Sequence, residues 1–212
     1  MNPNPNLEYT NFDFAFDFMN ARLFEGKLPH VLLTFRNHSR ARGYFRSKAF
    51  LNRLNQDVTD EISLCMETFG SRTDKEILST LVHEQTHLLQ FHHGKPGRRG
   101  YHNLEWAMSM IEIGLTPTNG NGGMTGERVS HVIVPGGKFD LAATELLATG
   151  WKLNWQEYSP PVLAALLPGG IVGAPVTKQQ TRKKFTCPKC ALNAWAKFSA
   201  NLICGECTIP MA

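Results

Sequence analysis

The chain has 212 residues, 42% of them hydrophobic, and a formal net charge of +4, enough for one good core and a small appendage. No apolar run reaches the roughly 18 residues that a membrane-spanning helix needs, and the start MNPNPNLEYTNFDF lacks the basic and apolar character of a secretory signal; a cytoplasmic protein with no membrane partner is expected. The charge is uneven: residues 177–212 carry six Lys and Arg against one Glu, net +5, which leaves the rest at −1.

In chain order, the spacing of Phe12, Ala15, Phe16, Met19 and Leu23 predicts a helix over 8–25, although Phe12, Phe14, Phe16 and Phe18 also alternate as a strand would. Val31–Arg36, Arg42–Phe50 and Glu61–Met66 partly alternate apolar and polar residues and predict three strands of an antiparallel or mixed sheet. Cys65 reads as an ordinary buried residue at the end of the third. Arg36, Arg40, Arg42, Arg46, Lys48 and Arg53 form a basic run with no acid among them, readable either as a solvated face or as a phosphate-binding one.

Thr73-Asp74-Lys75-Glu76 has the form of a capping box, and Ile77, Leu78, Leu81, Val82, Leu88 and Leu89 continue at helical spacing. Inside this helix lies His83-Glu84-Gln85-Thr86-His87, an H-E-x-x-H motif. Residues four apart share a helix face, so both histidines can address one metal ion. Glu84, beside the first, is placed to act as general base on a metal-bound water, the arrangement of zinc-dependent peptide hydrolysis.

A catalytic zinc usually takes three protein ligands. Candidates for the third are His92, His93, His102 and His131. His92 falls off the ligand face, and the glycines and proline of 94–100 break the helix. A second helix, roughly 103–113, is marked by Leu104, Ala107, Met108, Ile111 and Leu115. A turn into it can bring His102 back over the first, which favours His102. His131, within HVIV, reads as a strand residue. Glycines 114, 120, 122, 123 and 126 mark a flexible loop, and a short helix is expected near Leu141–Ala148, with Trp151 and Trp155 at the core or rim. The Pro/Gly-rich stretch 162–176 reads as a linker or packed strap.

Cys187-Pro188-Lys189-Cys190 and Cys204-Gly205-Glu206-Cys207 form two C-x-x-C pairs with 13 residues between them, the pattern of a four-cysteine structural zinc site. A module so small needs its metal to fold.

Together these segments resemble the SprT-like, or Spartan-type, metalloproteases. Asn20-Ala21-Arg22-Leu23-Phe24-Glu25-Gly26-Lys27-Leu28-Pro29 is similar to that family's N-terminal N-x-x-L-F-x-G-x-L-P segment. Ala41-Arg42-Gly43-Tyr44-Phe45 and Glu61-Ile62-Ser63-Leu64 resemble its strands. Tyr101-His102-Asn103-Leu104-Glu105-Trp106 resembles its G-H-G-x-x-[FW] segment, with Tyr101 and Asn103 where glycines are usual. The likeness covers roughly residues 10–115, and Met124–Asp140 resembles plasmid- and phage-borne members. It implies an α+β, zincin-like domain over 1–160, a linker over 161–182 and a zinc ribbon over 183–212. It also implies His102 as third ligand to a catalytic zinc, a second, structural zinc on Cys187, Cys190, Cys204 and Cys207, and substrates that are proteins bound to or crosslinked with DNA, hence a nucleoid-associated location. Lys178, Arg182, Lys183 and Lys184 are the candidate DNA contacts, on single or double strands. Candidate oxyanion stabilisers are Tyr101, His131 and Tyr158. Two rival readings stand beside this one: a DNA-binding zinc protein whose H-E-x-x-H site is vestigial, and a zinc hydrolase acting on something other than protein.

Overall fold

The computed structural model describes residues 6–37, 41–156 and 182–212. It divides into two compact units, residues 1–158 and 159–212.

The first unit is built around helix α2 (Asp74–His93). Helix α1 (Asn6–Leu23) precedes it and buries Phe12, Ala15, Phe16 and Met19, while Phe14 is 52% exposed. The helical stripe therefore prevails over the alternating one. Asn20 then fastens the exit from α1: its side chain donates to the Leu28 carbonyl and accepts from the Leu28 amide, both at 3.1 Å. This clasp explains the asparagine of the N-terminal segment, while the leucine side chain is buried in the core.

Strands β1 (Leu32–Phe35), β2 (Gly43–Leu51) and β3 (Val58–Leu64) follow. The sheet order is β1-β3-β2, with β1 parallel and β2 antiparallel to β3, so the sheet is mixed. Strand β3 starts earlier than its apolar pattern suggests, because Val58 and Thr59 pair with Leu51 and Phe50 at the far end of β2. The basic run is partly spoken for: Glu61 on β3 is buried and pairs with Arg36 at 3.3 Å and Arg46 at 3.0 Å. An acid absent from the local sequence is supplied by the neighbouring strand. Arg40 lies outside the described residues.

A 3-10 turn (Met66–Ser71) leads into α2. Its capping box forms as expected, with Thr73 N–H donating to Glu76 Oε2 at 2.7 Å and Glu76 N–H to Thr73 Oγ1 at 3.3 Å. The helix is 20 residues long and packs Ile77, Leu78, Leu81, Val82 and Leu88 into the core. Helix α3 (Leu104–Glu112) follows.

The glycine-rich stretch after α3 is more than a loop. Strands β4 (Leu115–Thr118) and β5 (Ser130–Ile133) form an antiparallel pair, anchored by the buried Leu115. Four residues with a central proline gave too little pattern to reveal β4. Helix α4 (Lys138–Ala148) closes the core with Phe139, Ala143 and Leu146. Trp151 is buried and donates its indole N–H to the Asn11 carbonyl at 3.0 Å, whereas Trp155 is 37% exposed. Cys65 is buried, as expected.

The second unit holds the short antiparallel pair β6 (Lys183–Thr186) and β7 (Asn193–Ala196). Its small core consists of Phe185, Cys187, Cys204 and Met211. No helix among the described residues is long and apolar enough to cross a membrane. The expected linker lies almost wholly outside the described residues.

Candidate metal centres and cleft

Helix α2 presents Ser79, His83 and His87 at successive four-residue steps, hence on one face. His102, on the turn before α3, joins the two histidines, and one ring nitrogen from each of His83, His87 and His102 falls within 4.8 Å of the others. The Nε2 atoms of His83 and His102 are 3.2 Å apart. All three rings pack on Trp106, with His87 stacked at 4.9 Å between centroids.

His102 is placed by backbone as well as packing. It exchanges two main-chain hydrogen bonds with Gly126, at 2.8 and 3.0 Å, and its Nδ1 lies 3.0 Å from the Gly126 carbonyl. Gly126 sits at φ +130°, a conformation that side chains disfavour. Asn103, where the resembled segment has glycine, caps α3: its Oδ1 accepts from the Trp106 amide at 3.0 Å and from Gln90 on α2 at 2.7 Å. Glu105 accepts from Gln90 at 2.7 Å and from the Lys95 amide at 2.8 Å. These contacts tie the 94–103 turn to the ligand helix, the work a side chain at 103 can do and a glycine cannot.

The alternative ligands are otherwise engaged. His92 Nε2 meets Asp60 at 2.7 Å, and His93 Nε2 donates to the Lys27 carbonyl at 3.2 Å. His131 is on β5 as expected, but it also reaches the centre, which its sequence context did not reveal. Its Nδ1 is 3.1 Å from His83 Nδ1, and its Nε2 is 2.8 Å from Ser79 Oγ. The available signal was Ser79 itself, one turn before His83 and on the same face.

Burial pushes all four histidines down, His83 and His102 below the ordinary range, His87 to about 3 and His131 to about 4. The neutral imidazole is the form that binds metal. Burial pushes the Glu84 carboxyl the other way, to about 8, against a lowering hydrogen bond from the Phe45 backbone. Arg72, near His131, is lowered to about 10 by burial, and its Nε and Nη1 have no hydrogen-bond partner among the described residues.

The centre opens into a cleft of about 1140 Å³, whose lining includes Gly43 to Ser47 of β2 and Tyr101, Glu127, Arg128 and Val129. Gly43 lets β2 lie close on α2: a Cβ there would meet Ser63 O at 2.9 Å and Thr80 Cγ2 at 3.1 Å. Of the candidate oxyanion groups, Tyr101 and His131 line this cleft; Tyr158 lies outside the described residues.

In the second unit, Cys187, Cys190, Cys204 and Cys207 bring their sulfurs within 4.8 Å of one another. Two matching turns hold them: Ala191 N–H donates to the Cys187 carbonyl at 2.9 Å, and Thr208 N–H to the Cys204 carbonyl at 2.8 Å. The thiols titrate apart, Cys187 being drawn down to about 6, chiefly by the Cys190 backbone, and Cys207 pushed up to about 12, chiefly by its hydrogen bond with Cys190. Thiolates so close together need a cation to share them. Both donor sets suit zinc, three neutral imidazoles in one and four sulfurs in the other, and the sulfur cluster fits a zinc ribbon. Of the candidate DNA contacts, Lys183 and Lys184 are exposed on β6 and Arg182 precedes it, while Lys178 lies outside the described residues.

A family model described as SprT-like matches residues 14–125, just over half of the chain. A Salmonella typhimurium protein described as "Uncharacterized protein in mucB 3'region" is 37% identical over 54 residues, 26% of this chain and 73% of that protein. No solved structure matches.

Proposed function

Since the chain belongs to the SprT-like family, generally linked to zinc metallopeptidases, we propose that it is a zinc-dependent endopeptidase acting on DNA-bound or DNA-crosslinked protein. The observation that carries the proposal is the convergence of His83, His87 and His102 nitrogens beside the buried Glu84, at the floor of an open cleft. Three imidazoles leave a fourth position for water or substrate, whereas structural sites close it. This favours a working centre over a vestigial one.

Zinc held by His83, His87 and His102 would supply Lewis acidity, making water acidic and a scissile carbonyl electrophilic. Glu84 takes the proton of the attacking water and returns it to the leaving amine. The sheet order leaves the cleft side of β2 as a sheet edge. An extended peptide can pair with it by main-chain hydrogen bonds, and His83, His87 and His102 line the same cleft. That favours protein over other substrates.

The ribbon supports the choice of DNA. Trp195 is 62% exposed and sits directly opposite Lys184 in the β6–β7 register, and Phe198 is 60% exposed on the following turn beside Lys197. Exposed aromatic rings beside lysines stack bases and meet phosphates of single strands. The module would hold the enzyme on DNA and raise the local concentration of DNA-bound substrates without adding catalytic power.

The test is cleavage of a DNA-bound protein, with and without DNA, by wild type and Glu84→Gln. The variant should keep its zinc and fold and lose at least about a hundredfold in turnover, the scale of general acid–base catalysis. Near-normal turnover would remove Glu84 from the mechanism, and no cleavage by zinc-loaded wild type would return the protein to the rival reading of a DNA-binding zinc protein.

A further inference from the structure

We infer that Ser79 and His131 form a hydrogen-bond relay that fixes the tautomer of His83 and thereby frees its Nε2 for the metal. The inference rests on the zinc reading above. A backbone carbonyl can only accept. Ser79 Oγ is 2.7 Å from the Glu76 carbonyl, so the serine's one hydroxyl proton is committed there. Ser79 Oγ can then only accept from His131 Nε2, 2.8 Å away, which puts the His131 proton on Nε2 and leaves its Nδ1 bare. His131 Nδ1, 3.1 Å from His83 Nδ1, accepts in turn, so the His83 proton sits on Nδ1. The lone pair of His83 is left on Nε2. Tautomers are assigned from such partners.

The opposite direction fails. If His83 held its proton on Nε2, His131 would have to donate from Nδ1 and accept from Ser79, and the serine would face the Glu76 carbonyl oxygen without a proton.

The other side of the centre is set independently in the same way. His102 Nδ1 donates to the Gly126 carbonyl at 3.0 Å, leaving its lone pair on Nε2. Two backbone carbonyls, Glu76 and Gly126, thus aim two lone pairs at each other across 3.2 Å. That arrangement is unfavourable alone and is resolved by a cation. His131 is therefore a positioning residue for His83, not a fourth ligand, and groups that orient ligating histidines are worth about 10- to 100-fold in metal affinity.

The test uses the zinc-loaded full chain. Side-chain 15N NMR should show His131 protonated on Nε2 and His83 on Nδ1; a His131 proton on Nδ1 overturns the relay. Competition with a chromophoric zinc chelator gives the second readout. Ser79→Ala and His131→Phe should release the histidine-bound zinc at about 10- to 100-fold lower chelator. Ser79→Thr, which keeps the hydroxyl, should behave as wild type. The cysteine-bound zinc should be unchanged in all three. Release at the wild-type chelator concentration from both Ser79→Ala and His131→Phe overturns the inference while leaving the zinc reading intact. Wild type carrying zinc on its cysteines alone overturns the zinc reading, and this inference with it.

Discussion

Each imidazole at the centre is held by a different kind of contact, and the differences decide what single substitutions do. His83 leans on another side chain, His102 on backbone, and His87 on the face of Trp106. A three-histidine site that loses His102 keeps two ligands on one helix face, too few for a firm hold. We expect two zinc ions per chain by elemental analysis, with His102→Ala losing one and Cys187→Ser the other. One zinc in wild type would sink the two-site reading. Gly126 carries the bridge to His102. A Cβ there meets nothing within 4 Å, so Gly126→Ala is opposed by backbone conformation alone, a cost of about 1–3 kcal/mol. The strain falls on the bridge that carries His102, so zinc at the histidines should weaken more than global stability does. A chelator titration beside a denaturation curve separates the two.

At the scale of elements, β2 carries an irregularity that explains two residues. Its register with β3 shifts between Arg46 and Phe50, and Lys48 there sits at φ 49°. The Lys48 amide donates to Asp60 Oδ1 at 2.7 Å, and His92 reaches Asp60 Oδ2 at 2.7 Å. His92 thus ties the end of α2 to a bulge in the sheet. A β-branched side chain is poorly suited to left-handed backbone, whereas glycine adopts it freely. Lys48→Val should lose about 1–3 kcal/mol relative to Lys48→Gly, read by chemical denaturation. Equal stability of the two would mean that the backbone there is not left-handed. This irregularity also marks a limit of sequence reading. The capping box, the helix bearing His83 and His87, and the three strands were legible because each rests on local spacing. The partnerships of Glu61, Asp60 and His131 were not, because each joins residues whose proximity only the sheet and helix packing creates. The third histidine lay between these cases. His102 was favoured on the turn before a visible helix, but its support by Gly126 depends on a β4–β5 pair too short to read.

At the scale of the whole molecule, the two units differ in what makes them fold. The first has an extensive apolar core from Phe12 to Trp151, the second four buried residues of which two are cysteines. If the four cysteines hold zinc, the ribbon depends on it in a way the larger unit does not, and removing the ribbon leaves the histidine centre complete. Deleting residues 177–212 removes the net +5 segment together with Lys184, Trp195 and Phe198. If lysines there meet phosphates, DNA affinity of the intact chain should fall with salt at a log–log slope of about −0.7 per contact for single strands and about −0.9 for duplex. Truncation should flatten that slope and abolish DNA-stimulated cleavage. Zinc at His83, His87 and His102 should stay, with slow cleavage of unfolded protein still dependent on Glu84. Trp195→Ala in the full chain divides the DNA term further. Stacking on one base is worth about 1–3 kcal/mol and does not depend on salt as phosphate contacts do. The variant should therefore bind single strands less tightly at every salt concentration while keeping the wild-type slope. If truncation lowers thermal stability but leaves DNA binding unchanged, the ribbon is a stabiliser or a protein-binding module, and DNA is not the partner.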